Sequence, residues 1–159
     1  TGLGFFLYPF VRSFLPDQDE FSVEIDVSEL EPGFSKTVSW QGRHLYVIRR
    51  NIKRTAPLAT ETEDLKDPLS AHSVQPDFAE NAWRSKQPDL FIAYKNCTHL
   101  GCEVSLQSSK QGVVFKCPCH ESEFDQAGRV SKSSVASFNL EVPNYQYLSR
   151  NTIKLLKNV

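Results

Sequence analysis

Every cysteine of this 159-residue chain lies in one of two short stretches, NCTHLGCEV beginning at Asn96 and KCPCHESEFD beginning at Lys116. Together they contain Cys97, His99, Cys102, Cys117, Cys119 and His120, so each offers two thiols and one imidazole. A tetrahedral zinc site takes four such ligands and would leave two of the six idle. A two-iron cluster on four cysteines would take every thiol and give the histidines no part. A [2Fe–2S] cluster held by two cysteines on one iron and two histidines on the other uses all six groups if the two remaining cysteines pair with each other.

Loops of this kind need strands to aim them, and the flanking sequence supplies strands. Phe21, Val23, Ile25 and Val27 alternate with Ser22, Glu24, Asp26 and Ser28, the period of a half-buried strand. Glu31-Pro-Gly-Phe34 has the proline and glycine positions of a type II turn. KTVSW and HLYVIRR read as a hairpin around Gln41-Gly42-Arg43. Further strands are predicted at DLFIAY (Asp89 to Tyr94), GVVFK (Gly112 to Lys116), NLEV, YQYLS and TIKLL. Thr60 followed by Glu63 is a capping-box signature and predicts a short helix through Leu65. From Asp67 to Pro88 three prolines and no periodicity predict a long irregular connection, pinned to the sheet by Phe78 and Trp83. The pattern as a whole predicts an all-β, antiparallel fold with one short helix and the cysteine-rich loops between strands.

The length suits one domain. With 18 basic and 19 acidic residues, a net charge of −1 and a pI near 6.4, the chain lacks the basic footprint of a nucleic-acid binder. The N-terminal TGLGFFLYPFVRSFLP is apolar from Gly2 to Val11. That is shorter than the roughly 20 residues a spanning helix needs. Its aromatic residues lie on every side, and Pro9 would kink a buried helix. We read residues 1–15 as the trailing end of a membrane anchor, 16–20 (PDQDE) as a hinge, and 21–159 as the head domain, with a cluster-binding subdomain at about 95–140.

The pattern Cys97-x-His99, seventeen residues, then Cys117-x-x-His120 resembles the ligand signature of the Rieske proteins. CTHLGC and CPCH-x-S-x-F-D are similar to the two cluster loops of the Rieske iron–sulfur subunits of cytochrome bc1 complexes. IDVSELEPGFSKTVSWQGRHLYVIRR, DPLSAHSVQPDFAENAWRS and NLEVPNYQYLS resemble the segments around those loops in bacterial members. The resemblance implies a Rieske-type sandwich of small sheets with an inserted cluster-binding subdomain. It implies a Rieske [2Fe–2S] cofactor, with Cys97 and Cys117 on the inner iron, His99 and His120 on the exposed outer iron, and Cys102 paired with Cys119 in a disulfide. Ser122 matches a serine whose hydroxyl bonds to cluster sulfide, and Phe124 stands where mitochondrial members carry tyrosine.

The implied activity is that of a subunit of quinol–cytochrome c reductase, the isolated chain being an electron carrier. Quinol in the cytochrome b site hydrogen-bonds to His120, one electron passes to the cluster, and the head swings about the hinge to cytochrome c1. The implied location is the inner membrane, single-pass, with the head on the periplasmic side, where a disulfide persists. A Rieske subunit of another periplasmic oxidoreductase, such as an arsenite oxidase, is the alternative. His44 and His72, without ligand-spaced partners, are assigned structural or solvated roles. Glu121 departs from the family, which has glycine after the second histidine; if the backbone there needs φ > 0, glutamate is strained and its charge disfavours the extra electron. Val104, Val135 and Ser137 replace usual prolines, which implies a more mobile tip.

Overall fold

The alternation at Val23–Asp26 becomes β1, with Ile25 buried and Glu24 and Asp26 facing solvent. The structure, a computed structural model, describes residues 22–109 and 112–157. The expected anchor at 1–15 and hinge at 16–20 lie outside the described residues.

Strand β1 pairs antiparallel with β9 (Thr152–Leu156), which pairs with β8 (Asn144–Tyr147). The register sets Ile25 opposite Ile153 and Tyr145 opposite Leu155, and so gathers the buried side chains on one face. The second sheet runs β2 (Ser35–Trp40), β3 (Arg43–Arg49), β4 (Leu90–Tyr94). Its hairpin turns on Gln41 and Gly42, at φ +48° and +72°, the pair of left-handed residues that a two-residue turn uses to follow strand twist. Gly33, at φ +95°, and a 3.0 Å bond from the Phe34 N–H to the Glu31 carbonyl make the expected type II turn. Both sheets contribute to one apolar core.

The third sheet, β5 (Ser105–Ser109), β6 (Gly112–Lys116) and β7 (Glu123–Phe124), carries the cysteine loops at one end. Phe115 joins it to the rest: fully buried, it packs on Phe91 and Tyr46 with ring centroids 6.0 and 5.8 Å away. Burying one such ring stabilises by ~1.5–3 kcal/mol. The Tyr46 hydroxyl also donates to the Val104 carbonyl at 3.1 Å, at the foot of the first cysteine loop. Strand β5 escapes sequence reading because SLQSS is polar; it is a strand because β6 supplies its ladder.

Two sequence expectations need correction. Residues 60–65 form no helix: Lys66 N–H bonds to the Val130 carbonyl, Lys132 N–H to Asp64, and Leu65 bridges Ser131. Tertiary pairing has claimed the backbone groups that a helix would need. The helical turn is instead α1 (Ile52–Thr55), capped by Asn51, whose side-chain oxygen accepts from Lys53 N–H at 3.1 Å. NLEV is likewise no strand, although Leu140 and Val142 are buried. Its bonds go to three different segments: Leu140 N–H to Gly128, Tyr94 N–H to Glu141, Val142 N–H to Val74. It covers the free edge of β4, all of whose residues are buried.

The long connection before β4 is irregular, as expected, apart from a short 3-10 turn at Asp77–Ala79. Phe78 pins it edge-on to Tyr145 at 4.8 Å. Trp83 contributes its carbonyl, which accepts from buried Arg50 at 2.9 Å. Arg84, fully buried and at φ +53°, reaches the carbonyls of Ala127 and Gly128. Desolvation lowers the pKa of Arg50 to about 10 and that of Arg84 to about 9, which still leaves both charged at neutral pH.

Candidate metal centre

The two cysteine loops have the same backbone wiring. In the first, Cys97 N–H bonds to the Cys102 carbonyl at 2.8 Å and Gly101 N–H returns to Cys97 at 2.9 Å. In the second, Cys117 N–H bonds to the Ser122 carbonyl at 2.8 Å and Glu121 N–H returns to Cys117 at 3.0 Å. The return needs a left-handed residue in fourth place after the cysteine. Gly101 supplies it at φ +81° and Glu121 at φ +55°. The conditional expectation for Glu121 therefore applies: a residue with a Cβ occupies a glycine-type position. The twenty-residue offset between Cys97…Gly101 and Cys117…Glu121 was the sequence signal for this repeat.

The donors separate by depth. Cys97 and Cys117 are free and buried, 3% and 1% exposed. Burial pushes the Cys97 thiol pKa up, and the neighbouring Cys117 adds to that, while the His99 N–H and the Ser122 hydroxyl oppose it. His99 and His120 stand exposed with ring centroids 4.7 Å apart, edge to face. Cys102 and Cys119 are joined in a disulfide that ties loop to loop, with Cα atoms 6.5 Å apart. The sulfurs of Cys102, Cys117 and Cys119 lie within 4.8 Å of one another, yet the disulfide removes two of them as ligands. A four-cysteine zinc or iron site is thereby excluded. Two buried thiols beside two exposed imidazoles fit a [2Fe–2S] cluster of mixed ligation.

A third loop, residues 131–140, closes over the first two. Thr98 Oγ1 donates to the Phe138 carbonyl at 2.6 Å, and Ala136 N–H donates to Ser122 Oγ at 3.1 Å. Ser134 Oγ accepts from Glu123 N–H at 2.8 Å. Hydrogen bonds, not proline rings, hold this loop. Leu100 of the first loop and Val135 and Phe138 of the third are exposed at 71%, 52% and 47%. Lys116 lies 3.7 Å from Glu121 and 3.4 Å from Glu123. Glu103 is held by Lys95 at 3.0 Å and His44 at 2.5 Å. The His44 and Lys95 contacts keep the Glu103 pKa below the ordinary glutamate range. His44 is thus held in an ion pair, and His72 is exposed, its N–H bonded to Asp67. Sequence reading missed Lys116, Lys95 and Thr98, because single lysines and threonines carry no spacing signal.

A β scaffold presenting buried thiols beneath exposed imidazoles defines a two-iron electron-transfer protein with nitrogen and sulfur ligands. Residues 20–145 match the family model described as the Rieske [2Fe-2S] domain. The chain is 39% identical, over 96% of its length and 80% of the relative's, to a ubiquinol-cytochrome c reductase iron-sulfur subunit of Allochromatium vinosum. It is 36% identical, over 83% of its length, to a mitochondrial cytochrome b-c1 complex subunit Rieske-1 of Nicotiana tabacum, of which it spans 47%. Among solved structures, a chain of a hyperthermophilic respiratory complex III superposes with a TM-score of 0.54 at 28% identity, covering 96% of this chain and 90% of that one. The chain belongs to the Rieske iron–sulfur family, and its cofactor is a Rieske-type [2Fe–2S] cluster.

Proposed function

We propose that this chain is the electron carrier of a quinol–cytochrome c oxidoreductase, taking one electron from quinol at the cytochrome b quinol-oxidation site and passing it to cytochrome c1. The observation that carries the reading is the exposed, adjoining His99 and His120 rings on the same two loops as the buried Cys97 and Cys117. Cys97, His99, Cys117 and His120 would hold the cluster, which when bound accepts and releases a single electron. The His120 ring, exposed at the surface, would accept a hydrogen bond from the quinol hydroxyl and take up its proton. Leu100, Val135 and Phe138 supply the dry contact that excludes water from that bond. The buried Ser122 hydroxyl would donate to the cluster sulfide, and donors to sulfur raise a cluster's potential.

The oxidoreductase activity belongs to the whole complex. Residues 1–15 would anchor the head in the inner membrane and 16–20 would let it swing, with the head on the periplasmic side. The Cys102–Cys119 disulfide supports an oxidising compartment. Among the described residues no helix is long and apolar enough to cross a membrane. The test is an EPR-monitored redox titration of the purified protein, followed by rapid mixing with quinol and the cytochrome b and c1 subunits. A rhombic signal at positive potential, with reduction of the cluster by quinol only when cytochrome b is present, is the expected result. Zinc without acid-labile sulfide, or co-purification with a molybdenum enzyme in place of the cytochromes, would overturn the assignment.

A further inference from the structure

Lys66 lies outside all three loops of the metal centre, yet its ammonium donates into the third. Lys66 Nζ is 2.5 Å from the Ser134 carbonyl and 2.7 Å from the Ala136 carbonyl. These two acceptors flank the peptide unit between Val135 and Ala136. That unit's N–H donates to Ser122 Oγ at 3.1 Å, and Ser122 itself is fully buried.

The lysine's own backbone is fixed. Its N–H bonds to the Val130 carbonyl at 3.0 Å, Leu65 bridges Ser131, and Lys132 N–H bonds to Asp64 at 2.8 Å. The neighbouring Asp67 carboxylate accepts from Ala71 N–H, His72 N–H and the Ser73 hydroxyl, and its carbonyl accepts from the Asn139 amide at 2.8 Å. The side chain therefore reaches across the third loop from a rigid base. Charge-assisted bonds of this kind are roughly twice as strong as neutral ones.

We propose that Lys66 is a positioning residue for electron transfer: by clamping Ser134 and Ala136 it holds the Ala136 N–H on Ser122 and so keeps the Ser122 hydroxyl aimed at the cluster sulfide. With the Ser122 oxygen held by the Ala136 N–H, its hydrogen is left to donate to cluster sulfur, where it would offset the negative charge of the added electron. The clamp stands where the third loop lacks ring-stiffened residues at Val135 and Ser137. The proposal rests on Ser122 having the role given it above.

The experiment is a redox titration of the full-length protein with its cluster, as Lys66→Met, Lys66→Arg, Ser122→Ala and the Lys66→Met/Ser122→Ala double variant. Lys66→Met is expected to lower the one-electron reduction equilibrium by up to about tenfold, ~59 mV. Lys66→Arg, which keeps the charge and two donors, stays at the wild-type midpoint. In the Ser122→Ala background Lys66→Met adds no further shift. An unmoved midpoint in Lys66→Met overturns the proposal. So does an equal shift in both backgrounds, which would be a charge acting through space. If Ser122→Ala alone leaves the midpoint unchanged, the role of Ser122 itself fails and the clamp's function with it. Amide exchange over residues 131–138 gives a readout independent of cluster loading: protection at Ala136 falls in Lys66→Met and persists in Lys66→Arg, and full protection in Lys66→Met refutes the clamp.

Discussion

Glu121 is the residue at which local geometry and chemistry conflict. Its left-handed backbone, at φ +55°, is forced by the return bond to Cys97's counterpart, Cys117. A non-glycine residue there costs about 1–2 kcal/mol, and glycine would restore part of that while losing entropy to the unfolded chain. Glu121→Gly should stabilise the protein by about 1 kcal/mol and raise the midpoint, since it removes a carboxylate next to His120. Denaturant titration and potentiometry measure the two effects separately, and a midpoint that does not rise removes the electrostatic part. Glu103 gives a second residue-scale expectation. Its folded pKa is depressed, first by His44 and then by Lys95. Its contribution is therefore complete above the unfolded value near 4.5 and is lost as pH falls through the lower folded value. Glu103→Gln should flatten the stability curve in that acid window only, by the ~0.2–1 kcal/mol typical of exposed pairs. Urea midpoints measured from pH 7 down to pH 3 check it.

At the scale of elements, the cysteine loops are stapled to each other and wedged against the core. The disulfide closes a separation of 17 residues, for which chain entropy gives ~3 kcal/mol. Replacing Cys102 and Cys119 by alanine should lower stability by about that amount and release the cluster faster, read as decay of the EPR signal. Gly128 is the tight point under the third loop. A Cβ there would stand 3.1 Å from Leu140 Cβ and Phe91 Cζ, and the backbone is at φ +68°. Gly128→Ala should cost about 2–4 kcal/mol from strain and overpacking together. An alanine variant that melts with the wild type would show that the joint yields more easily than these contacts imply.

For the whole molecule, most residues of the apolar core belong to the strands of the first two sheets. Of the core side chains only Cys97 and Cys117 would touch iron. Removing the cluster with chelator and reductant of iron should therefore leave the β-sheet circular dichroism in place and lower the melting temperature, as loss of any native-state ligand does. Hydrogen exchange should rise mainly over residues 96–104 and 117–122. Global unfolding on cluster loss would mean that the cluster, not the apolar core, supports the base sheets.

The ligands, their chemistry and most strands were legible in the sequence, because each depends on local spacing: two residues per turn of side-chain direction in a strand, fixed offsets of cysteine and histidine in a loop. Glycine and proline marked Gly33 and Gly42 for the same reason. The missing helix at Thr60–Leu65 and the missing strand at NLEV were decided elsewhere. There the backbone groups of Lys66, Glu141 and Val142 found partners tens of residues away, and no local propensity encodes a partner at that distance. Sequence by itself determined what kind of cofactor this protein holds. Tertiary structure alone decided which thiols lie deep and which rings lie at the surface, that Glu121 sits in a glycine's conformation, and that Lys66 reaches a loop whose carbonyls begin 68 residues further along the chain.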